Sequence, residues 1–153
     1  MKTLKIWSLV AMLFMGLTAC DGGEEDVPPV AGIDKIVNEW VLSTWGGADA
    51  PFKVYIDFND DNTYEMYQLI YGDYYVKFSG MYHISGDILT GTYDDGNIWK
   101  SGYKVTLLND GKVLTLDSQE DISIRSEYDA TVIPEDVKLE ASTTRAVDVE
   151  PFL

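Results

Sequence analysis

Five oxygen-bearing side chains alternate along one short stretch: Asp57, Asn59, Asp61, Thr63 and Glu65. A calcium-coordinating loop spaces its first ligands this way. Here the sixth position is Asn62, where the sharp turn wants glycine, and the twelfth is Gln68, where a bidentate Glu is wanted. The stretch reads better as an acidic hairpin turn, because Asn and Asp accept left-handed backbone and bond their own main chain. Asp94-Asp95 and Glu120-Asp121 have the residue type of glycosidase carboxylates, but they fall in turns of a chain with 26 acidic residues and read as solvated charge. His83 is the only histidine and Cys20 the only cysteine, so a zinc site has almost no ligands to draw on. No Ser-His-Asp arrangement is readable around His83. The expectation is a non-enzymatic protein with no metal and no cofactor. What remains is aromatic: Tyr55, Tyr67, Tyr71 and Tyr75 are phased towards one polar-side face, and Trp99 lies beside a turn. These five are the candidate ligand contacts, since aromatic faces stack on sugars or line apolar pockets.

The elements that position them are strands. Phe52, Val54, Ile56 and Phe58 alternate with Lys53, Tyr55 and Asp57, the pattern of a half-buried strand. Residues 63–71 form its return partner. Tyr74, Val76, Phe78, Gly80, Tyr82 and Ile84 share the apolar face of the next strand, with Gly80 marking a bend. Residues 88–93, 98–108, 113–117 and 122–132 continue the series, separated by Ser85-Gly86-Asp87, Asp94-Asp95-Gly96-Asn97 and Asn109-Asp110-Gly111. With Trp40–Trp45 in front, there are eight candidate strands. Ile33, Ile36, Val37 and Trp40 fall at helical spacing and predict a short helical turn ahead of the first strand. Pro134 opens a second over 134–140. Short turns exclude a parallel α/β sheet and leave an all-β, antiparallel up-and-down meander, closed as a barrel or folded as a sandwich. The acidic, small-residue stretch 141–153 is expected to be a flexible tail.

The 153 residues carry 11 basic and 26 acidic side chains. A surface this acidic disfavours nucleic acid and anionic lipid faces. One cysteine rules out an internal disulfide, so burial must hold the fold. Residues 1–19 read as a removable export signal: a basic start at Lys2 and Lys5, an apolar run from Ile6 to Met15, then small residues. Its removal takes the net charge from −15 to −17.

Two resemblances add to this reading. Leu17-Thr18-Ala19-Cys20 resembles a bacterial lipobox, which implies that Cys20 becomes a diacylated, N-acylated first residue carrying palmitate-type chains. Several acyl chains make a stable membrane anchor. Asp21 to Asp26 then resembles the acidic surface-export signal of Bacteroidota lipoproteins, and residues 20–32 read as a lipidated tether holding a head domain at the outer membrane, facing the cell surface. The stretch 33–140 resembles the lipocalin-like domain of small Bacteroidota lipoproteins, through Asp57-Phe58-Asn59, Gly80-Met81-Tyr82-His83-Ile84, Gly86-Asp87-Ile88-Leu89-Thr90 and Val113-Leu114-Thr115-Leu116. This implies an eight-stranded barrel binding a small apolar or amphipathic ligand. The alternatives are a surface glycan-binding or protein-interaction module, or an accessory subunit of an outer-membrane assembly. Lipocalins proper pair a Trp on the first strand with a basic residue on the last; Asn38-Glu39-Trp40 and Arg125 stand at the corresponding places, so the resemblance implies a Trp40–Arg125 contact.

Overall fold

The computed structural model describes residues 33–143 and 149–153. The helical turn α1 (Ile33–Ile36) leads into strand β1 (Asn38–Trp45). A two-residue strand β2 (Ala48–Asp49) folds back on the end of β1. There follow β3 (Lys53–Phe58), β4 (Thr63–Leu69), β5 (Val76–Ser85), β6 (Ile88–Tyr93), β7 (Tyr103–Leu108), β8 (Val113–Ser118), β9 (Arg125–Ala130) and helix α2 (Glu135–Thr143). Each long strand pairs antiparallel with the next, and β9 returns to pair with β1, with a register shift between Leu42 and Thr44. The eight long strands therefore form a closed up-and-down barrel. Closure satisfies main-chain groups that an open sheet would leave at its edges. The short N-terminal helical turn and the strand order follow the sequence expectation.

Turn chemistry sets the register. Asn62 takes a φ of 67° in the β3–β4 hairpin, and the Asp61 carboxylate accepts from the Thr63 N–H at 3.0 Å and its hydroxyl at 2.6 Å. These bonds hold the Asp61 carboxyl below its usual range. The apparent calcium donors are thus spent on a turn, while Asp57 and Glu65 sit opposite each other on adjacent strands.

Alternation fills the interior. Trp40, Leu42, Val54, Ile56, Phe58, Tyr64, Met66, Tyr82, Leu89, Leu114, Leu116 and Tyr128 are all buried in one core. An eight-stranded barrel has just enough room to be filled by side chains, and this one is filled. The floor is set by α1, where the Trp40 indole N–H donates to the Ile36 carbonyl at 2.9 Å. Arg125 does not reach Trp40. It lies at the other end of β9, five residues from Ala130, which is Trp40's partner in the ladder. Its guanidinium is on the outside, 3.6 Å from Asp117 and 3.4 Å from Glu127. The implied Trp40–Arg125 contact is therefore absent, because strand phase turns Arg125 outward.

The weakest seam lies between β6 and β7, which pair only through Ile88–Lys104 and Leu89–Tyr103. The predicted strand 98–108 begins only at Tyr103; residues 98–102 cross the gap irregularly, tied by a single bridge from Ile98 to Thr92. Trp99 closes the gap as a wedge. Its main-chain N–H donates to Gly91 O at 3.0 Å and its indole N–H to the Tyr64 hydroxyl at 2.9 Å. Gly91 must be glycine here, since a Cβ would lie 2.3 Å from the indole.

Helix α2 covers the outside of β4 and β5. Ile133, Val137 and Ala141 bury Tyr67 and pack beside Tyr55 and Tyr75. Glu39 fastens the approach to α2: it accepts from Ile133 N–H at 2.7 Å and from the Lys138 ammonium at 2.6 Å. No helix of the described residues is long and apolar enough to cross a membrane.

Candidate functional site

One end of the barrel is open in part. The β1–β3, β4–β5, β6–β7 and β8–β9 connections meet there and enclose a cleft of about 310 Å³. Its apolar wall consists of Trp45, Phe52, Ile70, Tyr71, Tyr103 and Ile124. Trp45 and Phe52 are brought together by the loop between β1 and β3, with ring centroids 5.6 Å apart. The opposite wall is polar and internally hydrogen-bonded. Ser101 Oγ accepts from the Ser118 hydroxyl at 3.0 Å and from the N–H groups of Gln119 and Glu120 at 3.0 and 3.1 Å. Glu120, Asp121 and Glu150 stand at the rim with Lys100, whose ammonium lies 2.9 Å from Glu150.

The last described residues complete the wall of this mouth, with Glu150, Pro151 and Phe152 lining the cleft. Phe152 packs edge-on against Phe52 at 5.6 Å, and Leu153 is 1 % exposed within the main core. Gln68, on the inward row of β4 and 1 % exposed, donates to Glu150 O at 2.9 Å and accepts from Phe152 N–H at 2.8 Å. Tyr93 donates its hydroxyl to the main-chain oxygen of Leu153. The expected flexible tail over 141–153 is thus corrected for residues 141–143, which complete α2, and for residues 149–153, where Phe152 and Leu153 gain burial that no sequence neighbour could supply. Residues 144–148 lie outside the described residues.

The predicted aromatic set is divided. Tyr71 alone lines the mouth, 61 % exposed. Tyr55, Tyr67 and Tyr75 do gather on one face, with Tyr55 and Tyr75 rings 6.0 Å apart, but α2 covers that face. Tyr67 bonds Glu65, and burial followed by that carboxylate raises its hydroxyl well above the ordinary tyrosine value. Burial also pushes Glu65 up, yet the Lys77 ammonium and the Tyr67 hydroxyl outweigh it and hold Glu65 below the usual value. Trp99 is 3 % exposed and structural. It floors a more open hollow of about 590 Å³ on the barrel flank, lined by Met81, His83, Thr90, Ile98 and Lys100. We favour the mouth over this larger hollow because the mouth joins an aromatic wall to buried polar groups that already hold a chain segment. Cys20 lies outside the described residues.

The residues missed from sequence are Trp45, Phe52, Gln68, Ser101 and Phe152. Gln68 left a signal: it continues the inward phase of Tyr64 and Met66, where a polar side chain needs a buried partner. The fold is a small closed up-and-down barrel with a partly open, aromatic-rimmed end. The lipocalin-like domain family matches residues 36–116, and the chain belongs to that family. No curated protein matches the chain. Among solved structures, the chain is similar to the NMR structure of a protein from Bacteroides uniformis ATCC 8492, with 20 % identity, a TM-score of 0.48, and coverage of 65 % of this chain and 93 % of that one.

Proposed function

We propose that this is a lipid-anchored, non-enzymatic protein of the cell envelope whose barrel mouth binds a small apolar or amphipathic molecule. The observation that carries the reading is the cleft of about 310 Å³ lined by Trp45, Phe52, Ile70, Tyr71 and Tyr103. Its size is at the low end of ligand pockets, which run from about 300 to 1,000 Å³. The filled core supports a ligand held at the rim rather than deep inside. Each methylene of a ligand buried there contributes about 0.8 kcal/mol. The lipobox-like Leu17-Thr18-Ala19-Cys20 supports attachment through Cys20, and the acidic stretch after it supports the outer membrane and its outer surface.

Trp45 reports occupancy, since it is 38 % exposed while Trp40 and Trp99 are buried. Titration with a monomeric fatty acid should shift its emission to the blue, and Trp45→Phe should remove the change. A folded protein whose emission ignores fatty acids and lysolipids rules the apolar-ligand reading out. Trp45 and Tyr71 also stand exposed beside Glu120 and Asp121, an arrangement that suits a sugar ring stacked on an aromatic face with carboxylates at its hydroxyls. Oligosaccharides that shift Trp45 where fatty acids do not would favour that second reading. Cys20→Ala should release the protein into the soluble fraction of cells; continued membrane fractionation counts against the anchor.

A further inference from the structure

We propose that the barrel mouth is a peptide-binding groove, occupied here by the chain's own Glu150–Leu153, and that it accepts in exchange an extended peptide of the order acidic, proline, aromatic, aliphatic. This rests on the mouth being the binding site and adds a second class of ligand to it: Glu150, Pro151 and Phe152 line the cleft, so a peptide replaces that wall while a small apolar molecule fills the space beside it.

The groove reads main chain. Gln68 donates to Glu150 O and accepts from Phe152 N–H. An extended strand turns the carbonyl of one residue and the N–H of the second residue after it to the same side, so the Gln68 amide replaces a neighbouring strand's peptide group. Tyr93 adds a bond to the Leu153 main-chain oxygen. The side chains are read as well. Lys100 meets Glu150 at 2.9 Å, Phe52 meets Phe152 at 5.6 Å, and Leu153 is buried in the core. Pro151 has no N–H to satisfy and its fixed φ lowers the cost of ordering the segment.

Gln68 decides what can replace the segment. It is 1 % exposed, and both ends of its amide are bonded only because a peptide lies against it. If the segment leaves, a buried amide loses both partners, which is costly. An alkyl chain restores the apolar contacts of Phe152 and Leu153 but cannot restore these bonds. A second peptide restores both.

The test uses residues 20–153 and a fluorescent peptide of residues 147–153, followed by anisotropy. Phe152→Ala weakens the internal competitor and should bind the peptide about tenfold more tightly than the wild type does. A peptide with its own phenylalanine replaced by alanine should lose binding to that variant. Adding Gln68→Leu should abolish peptide binding while circular dichroism stays unchanged. As a second measurement on the wild type, the Gln68 side-chain amide resonances should shift at peptide concentrations on the order of millimolar, the scale of a tethered competitor. A folded Phe152→Ala chain that ignores the peptide but binds a fluorescent fatty acid overturns the peptide groove and leaves the apolar-ligand reading standing. Binding of neither overturns both. If Phe152→Ala does not fold, unshifted Gln68 resonances in the wild type overturn the proposal.

Discussion

Gly91→Ala tests whether Trp99 is a structural wedge or a free ligand-stacking residue. A Cβ on Gly91 would lie 2.3, 2.5 and 2.7 Å from three carbons of the indole. The indole cannot drift away cheaply. It donates to Tyr64 at 2.9 Å and packs edge-on to Tyr64 and Tyr103 at 5.1 and 6.1 Å between ring centroids. If the barrel absorbs the methyl by local shifts, overpacking costs about 1–3 kcal/mol. If Trp99 is expelled, the loss approaches the 3–5 kcal/mol, very roughly, of truncating a buried aromatic. The unfolded chain's lower entropy returns about 0.4–1 kcal/mol. At mid-range values the net is a destabilisation of about 1.3 kcal/mol if the methyl is absorbed and about 3.3 kcal/mol if Trp99 is expelled, and each kcal/mol should lower the melting temperature by about 4 °C in a domain of this size. Gly102→Ala is the control. Its Cβ would meet Ile88 Cγ2 at 3.2 Å and Thr90 Cγ2 at 3.5 Å, both ends of side chains, so the change should stay within about 0.5 kcal/mol. The assay is urea unfolding followed by tryptophan emission and circular dichroism. A Gly91→Ala protein with the wild-type midpoint and slope refutes the wedge, as does a Gly102→Ala protein that is the less stable of the two.

Three further outcomes follow from the outer face under α2 and from the buried tyrosines. Glu39→Ala leaves Ile133 N–H without its acceptor and Lys138 without its carboxylate, and should cost about 1–3 kcal/mol, read as a lower urea midpoint and faster proteolysis within α2. Asp57 is pushed up by burial first and by its neighbours Glu39 and Glu65, so its charge is unfavourable in the folded state above its folded pKa and the penalty vanishes as pH falls. Asp57→Asn should therefore raise stability at pH 7 by roughly 0.5 kcal/mol, an exposed-charge magnitude, and make no difference at pH 3; a loss at pH 7 contradicts this. Burial pushes the Tyr64 and Tyr103 hydroxyls up to about 12 from 10.0. The folded state then holds protons that the unfolded state has released, so stability is whole below pH 10 and falls as pH rises towards 12. Unfolding midpoints measured from pH 8 to 12 should be flat and then drop; a flat line throughout removes this coupling.

Much of the barrel was legible in the chain. The inward row Val54, Ile56, Phe58 and the row Val76 to Ile84 were fixed by alternation, a short-range pattern set by strand geometry. The hairpin at Asn59–Asn62 was fixed by residues that tolerate a positive φ, as Asn62 shows. The sequence also carries the lipobox-like junction at Cys20, whose meaning depends on local order and not on folding. The same alternation placed Tyr55, Tyr67 and Tyr75 on an outer face, and that phase is right. It was silent on what covers the face, because α2 is brought there from beyond residue 134 by contacts that local periodicity does not encode.

Tertiary structure alone decided the mouth. Gln68 and Phe152 are 84 residues apart, and their pairing depends on the register of the whole barrel. Trp99 became a wedge only because Gly91 leaves room on the adjoining strand. Arg125 was separated from Trp40 by where β9 starts along β1. Strand phase is a property of neighbours in sequence, whereas closure, stagger and the seating of residues 149–153 depend on which distant surfaces can be buried together.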